Sequence, residues 1–250
     1  MPSTELRDQR GSLGTVRNAV TLLELLAEGP AHQHLSDLAE RSQMSVPTVH
    51  RLLRSLVLSD LVEQDPRSSR YGLGPELVRL SHRYLARLPI IGAVAPYLTQ
   101  LRDLVGGTIL VQVMVRSALV TLDRVDGSEA GLYRDAHAVR PPLSTASGRL
   151  LLARGGDAEW QTALEQADPA VRELAEASRA QWAGAPWLAV EGAAPGLPGH
   201  VAVALVDAHE VALATLVAVL PHDASDDTIA AVAGHLTRAG SAAVRMLGNA

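Results

Sequence analysis

The chain has 250 residues, 47% hydrophobic and 20% charged, which permits a sizeable core and excludes the disordered class. It has no cysteine, which excludes disulfides, thiolate metal ligands and thiol catalysis. No apolar run reaches the roughly 18 residues of a membrane span, and the polar N-terminus has no signal-peptide pattern, so we expect a cytoplasmic protein.

The net charge of −5 is unevenly distributed along the chain. All 22 basic residues are arginine, and residues 1–90 carry a net charge of +1 whereas residues 91–250 carry −6. Because phosphate repels an acidic surface, any contact with nucleic acid is expected from the first part. That part is nearly neutral, so its arginines would have to act as individually placed contacts.

Three amphipathic helices are predicted within the first 60 residues. Residues 15–28 have apolar side chains at helical spacing, beginning with Val16, and Gly29-Pro30 ends this helix. Residues 35–59 indicate two short helices around a polar turn, with Ser45 as N-cap of the second. The spacing predicts a buried stripe on that second helix, formed by Val46, Val49, Leu52, Leu53 and Leu56.

The other face of the second helix is polar. At about 100° per residue, Pro47, Arg51 and Arg54 lie opposite the buried stripe, with Thr48 and His50 on its flanks. Two guanidinium groups among short polar side chains suit the major groove of DNA. The alternative is the solvated face of an ordinary helical hairpin.

A β-hairpin is predicted directly after this helix. Residues 61–64 and 70–73 alternate apolar and polar side chains, and the turn formers of residues 65–69 separate them. Arg67 and Arg70 would lie on the hairpin, where arginine reaches phosphate or the minor groove. Three helices followed by such a hairpin make a winged helix-turn-helix.

The rest of the chain predicts an α+β domain. A helix is expected from Pro75 to a point before Pro89, and another at about 93–105. Strands are expected at 108–116, 118–126, 132–134, 200–207 and 210–220, and helices near 147–154, 157–183 (interrupted near Asp168-Pro169) and 225–247. This order is typical of an antiparallel sheet with helices on its faces.

Residues 141–153, PPLSTASGRLLLA, are the candidate ligand site of this domain. A helix beginning near Ala146 or Ser147 presents free backbone N–H groups that favour an anion. Hydroxyl groups at Ser144, Thr145 and Ser147, with close approach at Gly148, would suit a carboxylate. The alternative is a helix capped by its own serine or threonine.

Several motifs, in order, resemble those of the IclR-type transcriptional regulators of bacteria. They are VRNAVTLLELLA, LSDLAERSQMSVPTVHRLLRSL, SRYGLGPELVRLS and PPLSTASGRLLLA. The resemblance implies a winged helix-turn-helix at residues 1–74, a linker helix at 75–92 that helps to hold a dimer, and a GAF/PAS-like effector-binding domain at 93–250. The chain departs from the family with Ser144 in place of histidine and Arg149 in place of lysine, and effector contacts are not carried over for residues 155–200.

The sequence gives little support to catalysis. It has no G-x-S-x-G elbow and no glycine-rich phosphate loop. Asp207 and His209 are close in sequence but lie in a predicted turn, and His32-Gln33-His34 lacks a third metal ligand. We therefore expect neither an enzyme nor a bound metal or cofactor.

These features predict a ligand-responsive DNA-binding regulator, a repressor of a metabolic operon that senses a small organic acid. It would be a homodimer or a tetramer on a pseudo-palindromic operator. The predicted DNA contacts are Arg17 (at the start of the first helix), Ser45, Pro47, Thr48, His50, Arg51, Arg54 and Arg70. The predicted effector contacts are Met114, Leu143, Ser144, Thr145, Ala146, Ser147 and Gly148. The alternative function is a ligand-binding or interaction module whose winged helix mediates assembly.

Overall fold

A computed structural model describes residues 5–128, 140–192, 199–221 and 223–248. Its internal contacts divide the chain into two compact units, Met1–Arg87 and Leu88–Ala250. Within the described ranges, no helix has both the length and the apolar character needed to cross a membrane.

The first unit contains four helices and one two-stranded hairpin among its described residues. Their bounds are α1 Glu5–Glu28, α2 Leu35–Ser42, α3 Val46–Leu58, β1 Val62–Gln64, β2 Tyr71–Leu73 and α4 Glu76–Leu85. Strands β1 and β2 are antiparallel, with Glu63 opposite Gly72. The three helices and the wing are therefore present in the predicted order.

The core of this unit forms where α1, α2, α3 and the hairpin meet. Its fully buried side chains include Leu22, Leu38, Val49, Leu53 and Val62.

Two residues predicted to be buried in this unit are exposed. Helix α1 begins ten residues earlier than expected. Among the side chains of α1 that the structure describes, from residue 14 onwards, the first in contact with the core is Ala19, and Val16 is 64% exposed. Val46 is the first residue of α3 and is 50% exposed, because the buried stripe begins one turn later at Val49. Helical spacing alone does not reveal where along a helix its packing partners begin.

The second unit is built around a five-stranded antiparallel sheet in the order β4-β3-β7-β6-β5. Its elements are α5 Pro89–Val105, β3 Thr108–Val115, β4 Ala118–Val125, α6 Ala146–Arg154, α7 Asp157–Gln166, α8 Pro169–Gly184, β5 Trp187–Val190, β6 Gly199–Val206, β7 Ala212–Leu220 and α9 Asp226–Gly248. This is the α+β layout that the sequence predicts.

Helix α5 and strand β5 show the largest differences from the predictions for the second unit, since the other described elements begin and end within about two residues of the expected positions. Helix α5 begins at Pro89 and not near residue 93, because proline is accepted in the first turn of a helix as well as after one. Strand β5 was not predicted, and the strand expected at 132–134 lies outside the described residues.

Helices cover both faces of the sheet. On one face α5 and α9 pack against alternate residues such as Val111, Val203 and Leu216. On the other face α6 packs, through Ala146 and Leu150, against a row formed by Leu110, Ala202 and Val217. A further cluster, formed by Leu143, Leu152, Trp160, Ala163, Leu164, Ala175 and Trp182, joins α6 to α7 and α8.

Candidate DNA-contact surface and effector site

The outward face of α3 carries most of the residues predicted to contact DNA. Val49 and Leu53 are fully buried in the core of the first unit, whereas Pro47, Arg51 and Arg54 are exposed. Neither guanidinium group has a hydrogen bond or an ion pair with any described residue. Both are therefore available to an external partner.

Short polar side chains define the start of this helix. Ser45 is the N-cap, as predicted, but its hydroxyl lies 2.8 Å from the Thr48 hydroxyl and bonds to no backbone N–H. Pro47 occupies the first turn, where its missing N–H removes no helical hydrogen bond. His50 is exposed on the next turn.

The wing places two further arginines at the surface. Asp65 accepts hydrogen bonds from the backbone N–H groups of Arg67 and Ser68, which fixes the turn between the strands. The hydrogen bond from the Ser68 hydroxyl, together with that from the Arg67 N–H, lowers the pKa of Asp65. Arg67 is exposed on this turn, and Arg70 is exposed but donates from Nε to Nε2 of His34 at 3.0 Å.

Arg17 occupies a different position from the one predicted. It is exposed, but α1 begins at Glu5, so Arg17 lies in the middle of the helix and not at its start. It therefore cannot combine with the N-terminal end of that helix dipole in binding phosphate, and any contact it makes would be through its side chain alone.

The start of α6 is tied to the protein around it. Thr145 is the N-cap, accepting from the Gly148 N–H at 3.0 Å and donating to the Pro142 carbonyl at 2.9 Å. Ser147 is buried and accepts a hydrogen bond of 2.9 Å from the Thr215 hydroxyl. The Thr145 arrangement is the self-capping alternative, and both hydroxyl groups have partners within the chain.

The other predicted effector contacts differ in exposure. Leu143 and Ala146 are fully buried in apolar clusters, Met114 is partly buried against the cluster that contains Leu143, and Ser144 is exposed. A Cβ atom on Gly148 would lie 2.1 Å from the Pro142 carbonyl oxygen. Gly148 therefore accommodates the preceding backbone, which is a sufficient reason for glycine at this position.

A polar row that the sequence did not reveal crosses the α6-facing side of the sheet. Thr215 on β7 lies opposite Gln112 on β3, which lies opposite Thr121 on β4. Gln112 Nε2 donates to the Thr121 hydroxyl at 3.1 Å, and Thr215 continues the row to Ser147. Because opposite residues on neighbouring strands share a face, these groups lie together beneath the start of α6.

A histidine with a lowered pKa lies farther along the same face. His200 on β6 lies between Val190 and Val219 on the neighbouring strands. Burial, with a smaller contribution from the positive charge of Arg140, lowers the pKa of His200 from 6.5 to about 4. His200 is therefore neutral near pH 7, and Arg140 is an exposed cation near enough to disfavour the protonated form of His200.

One unit thus has a helix-turn-helix and a wing, with Arg51 and Arg54 of α3 unpartnered among the described residues, and the other has a sheet with polar groups on one face. This combination is the one expected of a two-domain DNA-binding regulator. The sequence model described as the IclR helix-turn-helix domain matches residues 15–66, and the one described as the C-terminal part of the bacterial transcriptional regulator IclR matches residues 82–173. The chain belongs to the IclR family of bacterial transcriptional regulators.

Individual proteins agree with this assignment. The HTH-type transcriptional regulator XynR of Escherichia coli K12 is 28% identical over 152 residues, which span 60% of this chain and 60% of XynR. A solved structure from Silicibacter sp. TM1040 is described as an IclR transcriptional regulator. The match covers 94% of this chain and 96% of the Silicibacter chain, with a TM-score of 0.77 and 25% identity.

A second solved structure shares the fold at lower identity. It is an IclR homologue of Microbacterium hydrocarbonoxydans complexed with 4-hydroxybenzoate. The match covers 94% of this chain and 100% of the homologue's chain, with a TM-score of 0.69 and 21% identity.

Proposed function

We propose that this protein is a ligand-responsive regulator that binds operator DNA through α3. The observation that carries the proposal is the outward face of that helix, where Arg51 and Arg54 have no partner among the described residues. Guanidinium groups on a helix of this kind contact guanine edges or phosphates in the major groove. Thr48 and His50 would add shorter polar contacts, and Ser45 and Pro47 would set the start of the helix.

Arginines outside α3 would hold the register on the duplex. Arg67 and Arg70 on the wing, and Arg17 on α1, are exposed and would contact phosphates. Few such contacts are available in a unit whose net charge is close to zero, so one copy would bind weakly. We therefore expect a homodimer, with a tetramer as the alternative, on a pseudo-palindrome whose half-sites lie about one helical turn apart or a multiple of it.

The second unit would bind a small organic acid on the α6-facing side of the sheet. Arg140 would pair with the carboxylate, and the row formed by Gln112, Thr121, Ser147 and Thr215 would supply hydrogen bonds. Met114, Leu143, Ser144, Thr145, Ala146 and Gly148 would shape the pocket around the start of α6. The Microbacterium homologue makes an aromatic acid a reasonable probe.

The two functions would be joined through the segment between the domains. We infer a division into a DNA-binding domain at 1–74, a linker at 75–92 and an effector-binding domain at 93–250. Helix α4 lies in that linker and has no buried residue, and Val78 and Tyr84 are among its exposed apolar side chains. Transcriptional control, by repression of a metabolic operon, would take place in the cytoplasm where the chromosome lies.

The DNA-binding proposal is tested with the full-length protein and duplexes that it selects from a random library. Arg51→Ala/Arg54→Ala should lower affinity at least about tenfold, because each substitution removes an interaction of about 1 kcal/mol or more. If either arginine binds a phosphate, its removal should also reduce the slope of log K against log salt by about 0.9. Gel shift and fluorescence anisotropy at several salt concentrations measure both.

The matched control is Arg238→Ala/Arg245→Ala, which removes the same charge from α9 in the second unit. It should bind DNA like the parent protein. Unchanged affinity of the α3 variant would remove α3 from the interface. Retention of DNA that does not respond to salt would favour the alternative, in which the winged helix mediates assembly and does not contact DNA.

A further inference from the structure

Val46 is an apolar side chain in an unexpected place. It opens α3 and is 50% exposed, although the other valine and leucine residues of the first two turns are buried. Beside it, Pro47 is exposed as well. The first turn of α3 therefore presents an apolar surface at the end of the helix that enters a groove most deeply in helix-turn-helix proteins.

The chemistry of this surface limits what it can recognise. Val46 and Pro47 have no side-chain donor or acceptor, and the nearby hydroxyl groups of Ser45 and Thr48 bond to each other. In the major groove the four base pairs present donors and acceptors, and the only apolar group among them is the C5 methyl of thymine. An exposed valine there gains free energy of binding by covering that methyl group and loses it over a polar base edge.

We propose that Val46, with Pro47 beside it, selects a thymine in each half-site of the operator through the C5 methyl group. The inference rests on the proposed function, since it assumes that α3 enters the major groove. It adds a specificity determinant that acts without hydrogen bonds. Val46 and His50 lie one turn apart on the same side of α3, so the thymine lies next to the base or phosphate that His50 contacts.

The test uses duplexes selected by the full-length protein, in which each thymine is replaced in turn by deoxyuridine. This replacement removes one methyl group and leaves every hydrogen-bonding group in place. At one thymine position of the half-site, deoxyuridine should weaken binding about fourfold, and about fifteenfold when both half-sites are changed. Val46→Ala should lose most of the preference for thymine over deoxyuridine at that position, because only Pro47 and the smaller alanine methyl group remain to cover the thymine methyl.

Leu58→Ala is the matched control, because Leu58 is an 82% exposed apolar residue at the far end of the same helix. It should keep the full preference for thymine. The inference is overturned if no thymine position responds to deoxyuridine, or if Val46→Ala retains the full preference of the parent protein. If the parent protein selects no sequence and binds without salt dependence, the proposed function fails together with the inference.

Discussion

At the scale of single residues, His200 is a side chain whose ionisation changes strongly on folding. Its burial on β6, and to a smaller extent the charge of Arg140, lower its pKa to about 4. In the unfolded chain the pKa returns to about 6.5. Between these two pH values the unfolded chain binds more protons than the folded one. The free energy of unfolding is therefore unaffected by ionisation of His200 above pH 6.5 and decreases as the pH falls from 6.5 towards 4.

We expect His200→Gln to remove this pH dependence. From pH 7.5 to pH 5.0, the unfolding free energy of the parent protein should fall by about 2 kcal/mol more than that of the variant. Urea unfolding followed by tryptophan fluorescence measures the unfolding free energy of the second unit, to which His200 belongs. All three tryptophans of the chain, Trp160, Trp182 and Trp187, lie in that unit. The control is His209→Gln, in the exposed turn between β6 and β7. Equal losses in parent and variant would contradict the assignment.

At the scale of elements, α6 is fixed by contacts at both of its ends. At its start Thr145 closes the cap and Gly148 packs against the Pro142 carbonyl. At its end Arg154 donates to the carbonyl oxygens of Trp182 and Ala185, at 3.0 and 2.6 Å. These bonds hold α6 over the sheet face on which we place the effector.

Two glycine-to-alanine substitutions should distinguish the effect of close packing on stability from the effect of helix propensity. Gly148→Ala should destabilise the second unit by about 1–3 kcal/mol, because the new methyl group would overlap the Pro142 carbonyl. Gly92→Ala in α5 should stabilise it by about 0.5–1 kcal/mol, since nothing lies within 4 Å of its Cβ position. Thermal unfolding followed by tryptophan fluorescence measures both, and similar effects of the two changes would contradict the proposed packing.

The elements could be predicted where their residues are close in sequence. Leu52, Leu53 and Leu56 define the buried side of α3 by spacing alone, and the turn residue Asp65 marks the wing. The α6-facing row could not be predicted, because the pairing of Thr215 with Gln112 depends on strands about a hundred residues apart. Val46 has the right spacing for burial but is 50% exposed, because spacing does not show that the buried stripe begins only at Val49.

At the scale of the whole molecule, the two units have different chemistry. In the first, two arginines on α3 have no partner in the described part of the chain, whereas the second has most of the acidic residues and the candidate anion site. An acid bound to the second unit would therefore act on DNA through conformation and not by competing for the arginines of α3. Such action requires that the acid bind the DNA-bound and DNA-free forms with unequal affinity.

Thermodynamic linkage allows this difference in affinity to be measured in two ways, as the effect of acid on DNA binding and as the effect of DNA on acid binding. If a carboxylic acid that raises the melting temperature changes operator affinity by some factor, typically about 5 to 150, saturating operator must change acid affinity by the same factor. We expect a carboxylic acid to raise the melting temperature more than its amide, which keeps the rest of the molecule and lacks the charge. Calorimetry with and without operator DNA, and anisotropy with and without acid, measure the two factors.

Variants of the two proposed binding sites test acid binding and DNA binding separately. Arg140→Gln should weaken acid binding and leave DNA affinity unchanged in the absence of acid, since Arg140 lies in the second unit. Arg51→Ala/Arg54→Ala should bind acid with the affinity of the DNA-free parent protein, because the residues of the proposed acid site all belong to the second unit. If an acid saturates the second unit, stabilises it and leaves operator affinity unchanged, that acid is not an effector. The same outcome for every acid that binds would mean that the second unit does not regulate the first.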